Sequence, residues 1–303
     1  MYDLVIIGGG PGGVAAGIYG ARKKMKTALV AGDFGGQSKV SAEIQNWVGV
    51  KAISGFAWAK TLEDHLRAQE GLDIFQPDLA TKVEKSGEGF AVSLQGGKKL
   101  ETRTVLVATG SSRKKLDIPG EKEFDGKGVA YCATCDAPIF KDKITAVIGG
   151  GNAGLEAVLD LLNYSKKVYL LEYSDRLTGD AATQEKIKAS PKAEVILQAE
   201  AKEIFGDKFV TGLKYQDVPS GNIKELKLDG VFVEVGSYPN SGFVKGLVKL
   251  NDCGEIIVDH KTQTTSLRGI WAAGDVSDVL YKQNNVSAGD AIKAVLNIYD
   301  FLK

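Results

Sequence analysis

Two of the chain's three cysteines stand three positions apart in the stretch YCATCDAPIF, residues 131–140, and an acid follows the second at once. At that spacing Cys132 and Cys135 can close a small ring reversibly, staple a loop, or supply half of a tetrahedral metal site. Thiolates are stabilised in such motifs and near helix starts, and exchange with a partner disulfide runs by thiolate attack. Asp136 can then act as the general acid–base that protonates a departing thiolate, provided burial lifts its pKa. Its plainer alternative is to cap the turn or helix that follows. The flanking elements decide between these readings.

The composition narrows the context. Lys+Arg and Asp+Glu both number 38, so the chain carries no net charge and no basic excess to attract nucleic acid. No apolar run approaches the roughly eighteen residues of a membrane span. The start, MYDLVIIGGG, enters a strand and a glycine turn directly, with no basic segment or cleavage site ahead of it. The expectation is a cytoplasmic protein with no membrane partner. In a reducing compartment a close cysteine pair is more often catalytic or metal-binding than a permanent staple.

Two stretches can position such chemistry. DLVIIGGGPGGVAAGIYGARKKMKTALVAG has a β-branched run, then Gly8, Gly10 and Gly13 in a GxGxxG turn with Pro11 inside it, then a helical pattern and a second strand. KITAVIGGGNAGLEAVLDLLNYSKKVYLLEY repeats the plan with Gly149, Gly151 and Gly154, Asn152 and Ala153 opening its helix. Each is a βαβ unit that can seat a pyrophosphate at a helix N-terminus. Two complete units point to two dinucleotides. An acid about 20 residues past the first glycine takes the ribose hydroxyls of NAD. From Gly149, Glu172 lies 23 positions on, whereas the same count from Gly8 reaches Ala31, two short of Asp33. The second unit is therefore the candidate nicotinamide site, with a solvated strand end as the plainer reading of Glu172.

TRTVLVATGS, ending in Thr109 and Gly110, and LRGIWAAGDVSDV, running into Gly274 and Asp275, read as later strands of the first nucleotide domain, with an amphipathic helix from about Ser287 to Phe301. The predicted fold class is α/β, with two Rossmann-like dinucleotide-binding domains, the second inserted into the first. Residues 1–113 and 241–303 form the first domain and 114–240 the second. The crossings SSRKKLDIPG and GSYPNSG carry the Gly, Pro, Ser and Asn of linkers and permit a hinge.

In this order the glycine turn, GGQ at 35–37, QNW at 45–47, VLVATG, CATCD, a second glycine turn, AAGD and YKQ resemble the low-molecular-weight thioredoxin reductases over essentially the whole chain. The cysteine pair just ahead of the second glycine turn is the most specific feature. The resemblance implies FAD in the first domain, held by Gly8, Gly10, Pro11, Gly13, Gly36, Gln37, Asn46, Thr109, Gly110, Gly274, Asp275 and Gln283. It implies NADH or NADPH at the second, with Gly149, Gly151, Asn152, Ala153, Gly154 and Glu172. It further implies that Cys135 is the sulfur nearer the flavin, that the two domains swivel on their crossings, and that the protein is a homodimer. Cys132 and Cys135 then read as a redox pair. Zinc would need four ligands, and only Cys253, His65 and His260 remain, with no second close pair among them.

Family members that use NADPH follow their second strand with a basic HRRxxxR motif, where this chain has EYSDRLT, residues 172–178. A carboxylate repels a 2′-phosphate and hydrogen-bonds a free 2′-hydroxyl, so NADH is expected over NADPH, with Arg176 close enough to soften the preference. This stretch, CDAPIFKDK and GVFVEVGSYPN are similar to the flavoprotein component of alkyl hydroperoxide reductase, whose additional thioredoxin-like domain is absent from these residues. The expected partner is a separate thioredoxin- or glutaredoxin-like protein. Ala137 stands where the family commonly has glycine. Two alternatives use the same residues: a relative reduced by ferredoxin or another donor, and a non-enzymatic flavin redox sensor.

Overall fold

The strand Tyr2–Ile7 sends Val5 and Ile7 into one buried cluster and Leu4 and Ile6 into another. A strand buried on both faces reads as an unbroken apolar run and needs a covering layer on each side. That requirement shapes both halves of the chain. In the computed structural model, which describes residues 1–41 and 43–303, there are two compact units. One comprises Met1–Lys39, Trp47–Ser112 and Tyr238–Lys303, the other Val40–Asn46 and Arg113–Ser237.

In the first unit parallel strands run in the order Leu72–Phe75, Thr27–Val30, Tyr2–Ile7, Lys99–Val107. The long strand Lys99–Val107 serves two neighbours on its far side. Its first half pairs antiparallel with Gly89–Leu94 and its second half parallel with Ile270–Ala272. The helices Pro11–Arg22 and Asn284–Leu302 share one apolar layer, in which Val14, Ala16 and Ile18 join Ala291, Ala294 and Ile298.

The second unit repeats the plan. Its parallel order is Ala193–Ile196, Lys167–Leu171, Ile144–Ile148, Gly230–Val233, Val129–Ala130. The helix Asn152–Leu162 covers one face through Leu155, Val158 and Leu161, which pack with Val147 and Phe232. A three-stranded antiparallel sheet, Ala199–Gly206, Val210–Asp217 and Ile223–Lys227, covers the other through Ile204, Leu213 and Tyr215. The expected α/β class with two Rossmann-like sheets is borne out.

The chain changes unit at 112/113 and 237/238, and 40–46 groups with the second unit. The sequence alone places the changes at 113/114 and 240/241 and keeps 40–46 in the first part. Each unit ties the two crossings on its own side. In the first, the Asn240 N–H donates to Gly110 O (3.0 Å), and in the second the Lys114 N–H donates to Gly236 O (2.9 Å). Among the described residues no helix is long and apolar enough to cross a membrane.

Candidate redox and nucleotide sites

Cys132 and Cys135 are joined by a disulfide, with their Cα atoms 5.3 Å apart. The strand Val129–Ala130 leads into Cys132, which takes an extended conformation and caps the short helix Ala133–Asp136. The N–H groups of Cys135 and Asp136 both donate to Cys132 O, at 3.2 and 3.0 Å. The turn is fixed from below by Phe140, whose ring meets Phe232 edge-on at 5.0 Å. Such a pair contributes about 0.5–1.5 kcal/mol beyond its buried area. Ala137 has φ −53 and ψ −38, ordinary helical values that need no glycine, and it is buried.

Asp136 is buried, and burial pushes its carboxyl up to about 6. Its side chain makes no capping hydrogen bond to the turn Ala137–Phe140 that follows. That is the environment a general acid near neutral pH needs.

A second buried acid stands beside it, one that no motif in the sequence marks. Glu234 is 8% exposed at the end of the strand Gly230–Val233. Burial pushes it up to about 7, against the Arg113 guanidinium and the Ala133 N–H, with Asp136 and Asp160 adding repulsion. Arg113 Nη1 lies 3.7 Å from Glu234 Oε2. The signal available in the sequence was a lone acid in the otherwise apolar run GVFVEV.

The second glycine turn is built by close approach. Gly149 has φ +117, and a Cβ there would lie 2.5 Å from Glu234 O, while a Cβ on Gly154 would lie 1.8 Å from Gly149 O. No larger residue fits either place. By contrast Gly151, which precedes the helix Asn152–Leu162 and has no side-chain cap, is open on its Cβ side, with only Thr178 Oγ1 at 3.9 Å. Beside it lies a cavity of about 590 Å³, whose lining includes Gly149, Gly151, Asn152, Ala153, Glu172 and Tyr173, with Glu200, Glu234 and apolar residues around them. Glu172 Oε2 accepts the Gly150 N–H (2.5 Å) and Oε1 the Ser174 N–H (2.8 Å). Burial pushes Glu172 up, but hydrogen bonds from Ser174, Gly150 and Tyr173 outweigh it and hold the carboxyl below its usual value. Glu172 is thus charged and fixed on the glycine turn, with lone pairs left for a ligand hydroxyl. Asn152 Oδ1 accepts the Asp180 N–H (2.7 Å), and Arg176 is exposed. The cradle, the open helix start and the fixed acid fit a dinucleotide.

The first unit assembles the same cradle. Gly8 has φ +126 and a Cβ there would lie 2.2 Å from Ala108 O, next to Thr109 and Gly110, while a Cβ on Gly13 would lie 1.9 Å from Gly8 O. Gly10 has open space at its Cβ position and precedes Pro11, the first residue of a helix without a side-chain cap. A Cβ on Gly36 would lie 3.5 Å from Gly10 Cα, and Gly274 stands against Ser287 in the helix that Gln283 caps. The Ser287 hydroxyl meets Asp275 Oδ1 at 3.4 Å, the Gln37 amide donates to Ser111 Oγ at 3.2 Å, and Thr109 Oγ1 donates to Asn240 O at 2.8 Å. These eleven residues converge on one edge of the first unit, which fits a second dinucleotide. Asn46, the twelfth, groups with the other unit.

Cys253 is free and exposed, and His260 Nε2 is 3.4 Å from Asp278 Oδ1. Among the described residues no three His, Cys, Asp or Glu side chains gather as a metal site requires.

Comparison with known proteins agrees with this arrangement. The chain is 40% identical over 301 residues to the F component of alkyl hydroperoxide reductase from Staphylococcus epidermidis, covering 99% of this chain and 59% of that protein. It is 43% identical over 305 residues to the corresponding protein of Pseudomonas aeruginosa, covering 99% and 58%. The chain thus spans less than two thirds of these relatives. Among solved structures, thioredoxin reductase from Streptococcus pyogenes superposes with a TM-score of 0.93 at 32% identity, covering 100% of this chain and 98% of that one. Residues 2–292 match the family described as pyridine nucleotide-disulphide oxidoreductase. The chain belongs to that family of oxidoreductase enzymes, and membership implies FAD and a pyridine nucleotide as its cofactors.

Proposed function

We propose that the chain is a flavin-dependent disulfide reductase that takes electrons from NADH in preference to NADPH and delivers them through Cys132–Cys135 to a thioredoxin- or glutaredoxin-like protein. The observation that carries this reading is the Cys132–Cys135 disulfide with the buried acid Asp136 directly after it, Asp136 being raised to about 6 by burial. FAD would be held by the glycine cradle of the first unit with Gln37, Asp275 and Gln283, and the pyridine nucleotide by Gly149–Gly154 and Glu172. Bound FAD supplies a two-electron relay between the pyridine nucleotide and the disulfide.

The chain's own part is acid–base and exchange chemistry. When an electron pair enters the S–S bond, that bond breaks and the two sulfurs take up two protons to become thiols. The Asp136 carboxyl supplies one of them to the departing sulfur and is left as a carboxylate. One cysteine, as thiolate, then attacks a sulfur of the partner's disulfide, forming a mixed disulfide and releasing a partner thiolate that takes a proton. The other cysteine attacks its neighbour in the mixed bond, so Cys132–Cys135 re-forms and the partner leaves as a dithiol.

The coenzyme preference rests on Glu172. Its carboxylate is charged and immobilised by two backbone donors beside the cavity, so a 2′-phosphate there meets an uncompensated like charge, whereas a ribose 2′-hydroxyl finds an acceptor. In anaerobic rapid mixing with the purified flavoprotein, NADH is expected to bleach the flavin absorbance with a second-order rate constant at least roughly tenfold above that of NADPH. Faster bleaching by NADPH contradicts the role of Glu172. No bleaching by either contradicts the nicotinamide reading and favours a ferredoxin-type donor.

A further inference from the structure

Glu234 occupies a place that the exchange chemistry above does not use. The strands Gly230–Val233 and Val129–Ala130 run parallel, with Val231 opposite Val129 and Phe232 opposite Ala130. Just past the ends of these strands stand Glu234 and Cys132, the latter in the turn that opens the short helix. The N–H of Ala133, the residue after Cys132, faces the Glu234 carboxyl, and Ala133 shares one buried cluster with Phe232 and Ala130. The acid thus lies against the cysteine turn.

The groups facing the Glu234 carboxyl come from every element around it. Arg113 reaches it from the first crossing, Asp136 and the Ala133 N–H from the short helix, and Asp160 from the helix Asn152–Leu162. Asp160 is itself held to that short helix by the Thr134 hydroxyl at 3.0 Å. On the strand side the Glu234 N–H donates to Ile148 O at 2.9 Å, which locks its backbone at the end of the sheet.

We propose that Glu234 is a positioning residue of the disulfide centre, whose charge beside Cys132 governs the ionisation of that thiol in the reduced protein. The inference rests on the reading of Cys132–Cys135 as the working redox pair. A neutral Glu234 places no charge beside Cys132. An ionised Glu234 draws on the Ala133 N–H and adds a like charge beside the sulfur, so the thiol holds its proton more tightly. The carboxyl titrates within the working range because burial has moved it up to about 7. Arg113, partly exposed, only partly offsets that charge. Cys132 reactivity therefore rises less steeply with pH than a lone thiol's, because each step that favours the thiolate also charges its neighbour.

The test is alkylation of the dithiothreitol-reduced, FAD-loaded chain with iodoacetamide from pH 5 to 9, the first adduct being located by peptide fragmentation. Wild type is expected to give a Cys132 rate–pH curve with two inflections. Glu234→Gln is expected to give one inflection, to match wild type at low pH where Glu234 is neutral, and to react up to about tenfold faster above about pH 7, until both thiols are fully ionised. Glu234→Asp, which keeps the charge, retains the second inflection. A wild-type curve with a single inflection overturns the proposal without any variant, and so do superimposable curves for wild type and Glu234→Gln. A parallel arm replaces dithiothreitol with NADH. If NADH frees no thiols, the redox-pair reading fails, while the dithiothreitol comparison still decides the role of Glu234.

Discussion

Cys132→Ser and Cys135→Ser are each expected to lower disulfide reductase turnover by about 10³-fold or more, while flavin bleaching by NADH survives. The two sulfurs act as one unit, so losing either removes the whole exchange step rather than a share of it. A lone thiol can enter a mixed disulfide but has no neighbour to resolve it. The variant that retains the attacking cysteine should therefore trap its partner covalently, visible as a band that dithiothreitol dissolves, while the other variant traps nothing. That asymmetry identifies the attacking sulfur. Cys253, exposed and free, provides the internal control, since Cys253→Ser should leave turnover unchanged. Turnover within a few-fold of wild type in either variant of the pair would contradict the account.

Asp136→Asn is expected to slow turnover by about 10²- to 10⁴-fold, again with NADH-driven bleaching intact. The carboxyl must carry a proton to serve the departing thiolate, so that half-reaction weakens as pH rises through about 6. The inflection near that value should vanish in the variant, and its persistence would assign the proton to another group. The same burial has a linked effect on stability. Asp136 holds its proton more tightly folded than unfolded, with a pKa of about 6 against 3.8. A group raised in this way contributes stability that is fully present below the unfolded value and is lost as pH rises through the folded one. Over that window the wild-type chain should lose about 3 kcal/mol from this residue. Asp136→Asn should flatten the dependence and be the more stable protein at pH 7 in urea unfolding. A slower but less stable variant at that pH would count against burial as the cause of the shift.

Much of the architecture was legible because two kinds of signal repeat. Gly8–Gly13 and Gly149–Gly154 each follow an apolar strand and open a helix, and the structure shows the steric reason: a Cβ on Gly13 or Gly154 would lie within 2 Å of a backbone oxygen. The spacing of Cys132 and Cys135 marked them out, their place ahead of the second glycine turn and the family resemblance made them a redox pair, and the structure joins them in a disulfide. Ala137 departs from the family's glycine harmlessly, because its backbone is helical.

What stayed hidden depends on partners distant in sequence. Asp136 is buried between Ala133 and Ala137, which pack in a cluster with Phe232, nearly a hundred residues on, so no local pattern could distinguish a buried acid from a helix cap. Glu234 looked like one charge in an apolar strand until the fold set it against the Ala133 N–H of the cysteine turn. The covering sheet Ala199–Lys227 lacks a sharp signal because one of its strands, Ile223–Lys227, is exposed along most of its length. Residues 40–46 have no composition of their own that assigns them to either unit.

The central claim is that electrons from a pyridine nucleotide reach Cys132–Cys135. One equivalent of NADH added anaerobically to the FAD-loaded chain, quenched with iodoacetamide and mapped by peptide mass, tests it directly. The account predicts alkylation of both Cys132 and Cys135 where neither was labelled before, with Cys253 labelled alike in both samples. A bleached flavin with the Cys132–Cys135 bond still intact would contradict it.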